Sequence, residues 1–116
     1  MKLSTAIRKG SAQTGQVRSR MCTRDGRTCA IGAALLATGD LRVAQHSGLG
    51  NAFMLLGLAR TRWPALDMTT GVLWPDTDRL MTLCDIIIIL NDNYGVPREE
   101  IADWVEWLEC GGELSS

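Results

Sequence analysis

The sequence predicts an all-α chain, a single-domain bundle of about five helices. Three observations predict it. Ile101, Trp104, Val105 and Leu108 repeat at i, i+3, i+4 and i+7, the spacing of one helical face. The apolar stretches are punctuated as helices are, with Thr28 or Asn51 before them and Gly39, Pro64, Gly95 or Gly111 after. No stretch alternates apolar and polar residues firmly enough for a strand. The nearest is a weak hairpin over residues 17–28, where Asp25-Gly26 is a good turn dipeptide between poorly alternating flanks.

Leu3, Ala6 and Ile7 place a first helix over 3–12, weakened by Gly10 and ended by Gly15. Thr28 reads as the cap of a second helix, 28–38, that closes at Gly39. Its small residues Ala30, Gly32, Ala33 and Ala34 permit a neighbouring helix to approach closely. Residues 39–50 read as a loop that holds the only histidine, His46. Asn51 caps a third helix, 51–61, in which Phe53, Met54, Leu55, Leu56 and Leu58 leave almost no polar face. Trp63-Pro64 stops it.

A long connection leads to a fourth helix over 76–93, capped by Asp76 or Thr77. Leu80, Leu83, Cys84, Ile87, Ile88 and Leu90 share one side while Ile86 and Ile89 spill onto the other. This helix is therefore expected to be covered nearly all round and to be the most buried of the five. The fifth, 97–110, begins with Pro97 at its first position and carries the Trp104 stripe, which should hold it onto the fourth. Trp107 flanks that stripe among carboxylates and is expected to be partly exposed.

The composition, 46% hydrophobic and 22% charged over 116 residues, suits one core without metal or disulfide staples and argues against disorder over the whole length. The net charge of −1 conceals a separation. Residues 1–62 hold ten basic side chains against Asp25 and Asp40, a balance of +8. Residues 63–116 hold Arg79 and Arg98 against eleven carboxylates, a balance of −9. Such asymmetry points to an electrostatic partner, or to a basic half folding against an acidic one.

The start of the chain lacks the apolar stretch of a secretory signal, and the longest apolar run, Ile86 to Leu90, is far shorter than the ~20 residues that span a bilayer. The expectation is a cytoplasmic protein with no membrane association. In a reducing compartment Cys22, Cys29, Cys84 and Cys110 are expected to be buried hydrophobes or inert thiols. Their spacing is poor for zinc, with no CxxC pair. Asn91-Asp92-Asn93-Tyr94-Gly95 suggests a calcium loop only superficially, because with Gly95 at loop position 6 no glutamate falls at position 12. A helix-turn-helix over the same region would carry five carboxylates on its recognition helix and repel phosphates. No metal or cofactor is expected.

The best functional candidate is the arginine loop of Arg18, Arg20, Arg24 and Arg27 ahead of Thr28. Free N–H groups at a helix N-terminus bind anions, and arginine forks reinforce that. Asn91, Asp92 and Trp107 are candidates for partner contact, Asn91 standing in the middle of an apolar stripe, where burial against the next turn is the competing reading. With one histidine, no nucleophile–base–acid order and no glycine-rich phosphate loop, the chain is not expected to be an enzyme.

Several segments resemble a family of short uncharacterised bacterial and bacteriophage proteins. They are Lys2-Leu3-Ser4 with Ala6-Ile7-Arg8 and Gly10; Cys29 to Ala34; Leu90-Asn91-Asp92; and Arg98 to Glu106. A CPxC-like element and a histidine found in relatives are replaced here by Trp74-Pro75-Asp76 and Tyr94. The resemblance therefore implies neither a metal nor an activity. The expected function is a small non-enzymatic helical binding protein acting through a protein partner, a second copy of itself included. A phage or mobile-element accessory protein docking on a host protein would fit. The alternative is a binder of nucleic acid or of a phosphorylated small molecule through the arginine loop.

Overall fold

The computed structural model describes residues 1–48, 51–68 and 81–111. Within them are α1 (Leu3–Ser11), α2 (Ala30–Thr38), α3 (Asp40–His46), α4 (Ala52–Arg62), a 3-10 turn (Pro64–Asp67), α5 (Leu83–Asp92) and α6 (Arg98–Gly111). The fold is an all-α bundle, and one apolar cluster draws on every one of these elements.

The hub is α2, not the isoleucine-rich helix. Ala30 to Leu35 are buried in succession, and α1, α3, α4 and α5 all pack on this helix. The reason lies in side-chain size. A helix of alanine and glycine lets neighbours come close on every side, whereas bulky residues hold them off. The tightest approach is Gly10 of α1, where an added Cβ would lie 1.8 Å from the Ala33 carbonyl oxygen. Gly10 thus weakens α1 locally and is required by its neighbour. Gly32 plays the matching part against the loop, 2.2 Å from the Met21 carbonyl by the same measure.

In α5 the helical residues begin at Leu83, and Thr82 is the cap, accepting a bond from Asp85 N at 3.2 Å. Asp76 and Thr77, expected as caps, lie outside the described residues. Leu83, Cys84, Ile86, Ile87, Leu90 and Asn91 are buried, but Ile88 and Ile89 are only half covered. α5 is therefore covered less completely than the sequence predicts.

α6 lies chiefly against α1, with α5 a lesser neighbour, which corrects the expected pairing. Polar contacts explain the preference: Arg8 Nη2 donates to Asp103 Oδ1 at 2.6 Å and Glu106 Oε2 at 2.8 Å, and Ser4 Oγ donates to Glu109. Ile101, Ala102, Val105 and Leu108 form the buried stripe, while Trp104 is only half-buried.

α3 falls within the stretch read as a loop. Its buried stripe is only Leu41 and Ala44, too short for a period to emerge among Asp40, Arg42, Gln45 and His46. Gly39, at φ +84°, ends α2 and starts α3, and the Thr38 hydroxyl bonds Asp40 Oδ2 at 2.7 Å. The hairpin signal at 17–28 is realised as two isolated bridges, Cys22 with Thr28 and Gln16 with Thr28, not as strands. Gly26 takes the left-handed position at φ +90°, and Thr23 N donates to Arg27 O at 2.9 Å.

Candidate functional site

The segment between α1 and α2, residues 12–29, winds across the ends of α5 and α6 and is fastened there by two side chains. The first is Asn91, buried in the last turn of α5. Its Oδ1 accepts from Gln16 Nε2 at 3.0 Å and from Ala30 N at 3.2 Å, and its Nδ2 donates to Val17 O at 2.8 Å. The second is Arg98, the first residue of α6 and likewise buried. Its Nη1 donates to Thr14 Oγ1 and Thr28 Oγ1, each at 2.9 Å, and its Nη2 donates to the carbonyls of Ser11 and Thr14. Among the described residues no carboxylate shares in that bonding. Burial holds the Arg98 pKa below its ordinary value; five carbonyl and hydroxyl contacts serve its Nη1 and Nη2, while its buried Nε has no partner.

These bonds decide what the arginine loop can do. The N-terminus of α2 is filled from within the molecule. Ala30 N is taken by Asn91, and Gly32 N bonds Sγ of Cys29, which, and not Thr28, is the capping residue. Thr28 is buried under Arg98. Arg18 turns to α5, where Nε donates to Asp92 O at 2.8 Å and Nη2 to Asn93 O at 2.9 Å, a cation on the negative end of a helix. Ser19 adopts φ +64° and is held in that strained conformation by its N–H bonding Asp92 Oδ1 at 2.8 Å. Arg27 pairs locally with Asp25 at 3.1 Å, and Asp25 is held below the usual carboxylate range by the Thr23 hydroxyl and Arg27. Arg20 and Arg24 are exposed and pair with no carboxylate among the described residues.

The four arginines are therefore not brought together around a ligand. Asn91 acts as an internal clamp: it is buried, and its amide is engaged by Gln16, Val17 and Ala30, although it also stands in the lining of a neighbouring cavity. Asp92 is half-buried and committed to Ser19 and Asn91. A cavity of about 160 Å³ beside them, floored by Ile31, Leu56 and Ile87, has Arg20 and Asp92 in its wall, charges of opposite sign. Trp107 is 58% exposed, as its place beside the stripe predicts.

The surface that sequence reasoning missed lies between α3 and α4. α4 is apolar nearly all round, yet only Leu55 and Ala59 are buried. Val43 is 66% exposed, Phe53 84% and Met54 42%. With Ala44, Gly57 and Leu58 they line an open groove of about 400 Å³. Asp40, Ser47 and Thr61 complete its lining, and Arg62 grips Asp40 through two bonds of 2.9 Å; Arg42 is exposed on the other side of α3, beside Leu41 and Gln45. The missing signal was α3 itself, since a groove between two helices is legible only when both are recognised.

Among the described residues no group of three His, Cys, Asp or Glu side chains could hold a metal ion, and no helix is long and apolar enough to cross a membrane. Cys22, Cys29, Cys84 and Cys110 are all free thiols. The chain matches no family model, no curated protein and no solved structure.

Proposed function

We propose that the chain is a non-enzymatic helical binding module that acts through a protein partner, docked in the groove between α3 and α4. The observation that carries this reading is the exposure of Phe53, Val43 and Met54 around one continuous apolar trough. Covering each such side chain is worth about 1.5–3 kcal/mol, so a partner that fills the groove gains substantially. The four free thiols suit a reducing cytoplasm. The resemblance to short bacterial and bacteriophage proteins extends the proposal to an accessory protein that docks on a host protein.

The competing reading, binding of nucleic acid or a phosphorylated small molecule by the arginine loop, has less support. Arg18 and Arg27 are engaged, and the α2 N-terminus is occupied. A photo-crosslinking residue at position 53, in cells that make the protein, is expected to give a discrete protein adduct that Met54→Glu removes. The same residue at position 24 is expected to give none. Adducts to nucleic acid from position 24, with none from 53, would reverse the assignment.

A further inference from the structure

We infer that the cavity between the end of α1, the turn at 22–28 and α3 binds a small organic anion, with its oxyanion head between Arg42 and the hydroxyls of Thr14 and Thr28 and its body on Leu36 and Leu41. The site is separate from the groove. Leu41, Arg42 and Gln45 face this cavity of about 210 Å³, whereas Asp40, Val43, Ala44 and Ser47 face the groove, so α3 divides the two. It is also separate from the arginine loop's cations, because none of Arg18, Arg20, Arg24 and Arg27 stands in its lining.

Charge decides the ligand. Arg42 is exposed and shares in none of the ion pairs among the described residues. Among the described residues no carboxylate stands in the lining. Asp25, which accepts from the Thr23 hydroxyl, is already paired with Arg27 at 3.1 Å. A second cation lies behind the wall. Arg98 is buried, and the carboxylate that acts on its charge, Glu99, is exposed and makes no hydrogen bond to it. A buried guanidinium without a bonded carboxylate leaves a positive field that a nearby anion relieves.

The threonines carry that field into the cavity. Arg98 Nη1 donates to Thr14 Oγ1 and Thr28 Oγ1, each at 2.9 Å, and both threonines stand in the lining. Thr14 passes its own proton to the Gly10 carbonyl at 3.1 Å. The Thr28 hydroxyl, its oxygen already occupied by Arg98, is left to donate to Thr14 Oγ1 at 2.9 Å or to an acceptor in the cavity. An oxyanion is the stronger acceptor, since charge-assisted bonds are about twice as strong as neutral ones. Gln13, also in the lining, adds amide N–H donors. The size fits a small organic acid: a cavity of about 150 Å³ takes a benzene ring, so this one takes a head and a short chain.

The test titrates the nitrogen-15-labelled full chain with butyrate, with butyl phosphate, and with butylamine, which has the same body and the opposite charge. Amide resonances of Thr14, Gly26, Thr28 and Arg42 should shift saturably in the millimolar range with at least one anion and not with the amine. The anion that binds tells a carboxylate head from a phosphoryl head. Arg42→Gln and Gln13→Glu, both at exposed positions, should each weaken that binding about tenfold or more. Arg20→Gln removes an exposed cation outside the cavity and should leave binding unchanged, as should Phe53→Ser in the groove. Should Arg42→Gln melt below the native protein, Gln13→Glu still decides, because it replaces an exposed amide by a carboxylate of the same shape. No saturable shift at those four residues with either anion, or an equal response to butylamine, overturns the inference. Binding that survives both Arg42→Gln and Gln13→Glu, or that falls as far with Arg20→Gln, overturns it too and leaves only a general attraction to the basic half.

Discussion

The seam between α1 and α2 and the seam between α3 and α4 are built from similarly apolar sequence and end in opposite states. At the first, Gly10 meets the Ala33 backbone and Leu3, Ala6, Ile7, Ala30 and Ala34 are sealed from water. At the second, larger side chains (Phe53, Met54 and Val43) remain open to it. The difference teaches that apolar content does not decide burial. Small residues bring two backbones together and exclude solvent, whereas large ones on a short helix with a two-residue stripe overhang the edge of the core.

The comparison breaks most readily at Gly10. Gly10→Ala puts a methyl group into the Ala33 carbonyl and should lower stability by about 3 kcal/mol, the upper end for overpacking, as read from the midpoint of urea unfolding. A loss under about 0.5 kcal/mol would mean the seam can open without penalty, and the contrast would vanish.

Arg98→Met comes next. It removes the donors that satisfy Ser11, Thr14 and Thr28 and should lower stability by about 2–3 kcal/mol. Arg98→Lys should recover little, because one ammonium cannot span that set of acceptors. Full rescue by lysine would show that charge alone, and no forked geometry, holds the loop.

Thiol labelling sharpens the comparison without mutation. Burial pushes the Cys29 thiol up to about 11 and raises that of Cys84, so at pH 8 both are overwhelmingly protonated as well as covered. Cys110 is exposed and should react first with a thiol reagent. Cys29 should wait for unfolding. A Cys29 rate that matched Cys110 would show α2 opening far more often than its packing implies.

The smallest expected effect belongs to the open seam. Phe53→Ser should change stability by no more than about 0.5 kcal/mol, because a ring 84% exposed gives up little on unfolding. Its melting curve is the cheapest check on the groove.

Much of the fold was legible in the sequence because the strongest signals are local. The cap at Asn51 is realised, with Oδ1 accepting from Met54 N at 2.9 Å, and so is the stop at Trp63-Pro64. The stripe of α6 buries as spaced, Trp104 excepted. What could not be read depends on partners far along the chain. Nothing local says that Arg98 inserts beneath residues 11–28, or that Asn91 occupies the helix end the arginines seemed to guard. The positions of Arg18 and Arg27 were visible, but their bonds were not, and without the bonds a basic loop looks like a ligand site. α3 was missed for the opposite reason, a real helix whose buried side is too small to leave a pattern.

The contact of α1 with α6 has a consequence for how the protein comes to be folded. Ser4 meets Glu109 across 105 residues and Arg8 meets Asp103 across 95, separations far larger than those within a helical hairpin. Closing so long a loop must precede any return from these contacts, so the rate of folding should be set by this step. α1 can dock on α2 early, as a nearer neighbour in the chain. It must then hold one flank bare until α6 arrives. That interval is when the molecule is most open to aggregation, and the cationic Arg8 on the waiting flank, repelling other copies of itself, is suitably placed to guard it.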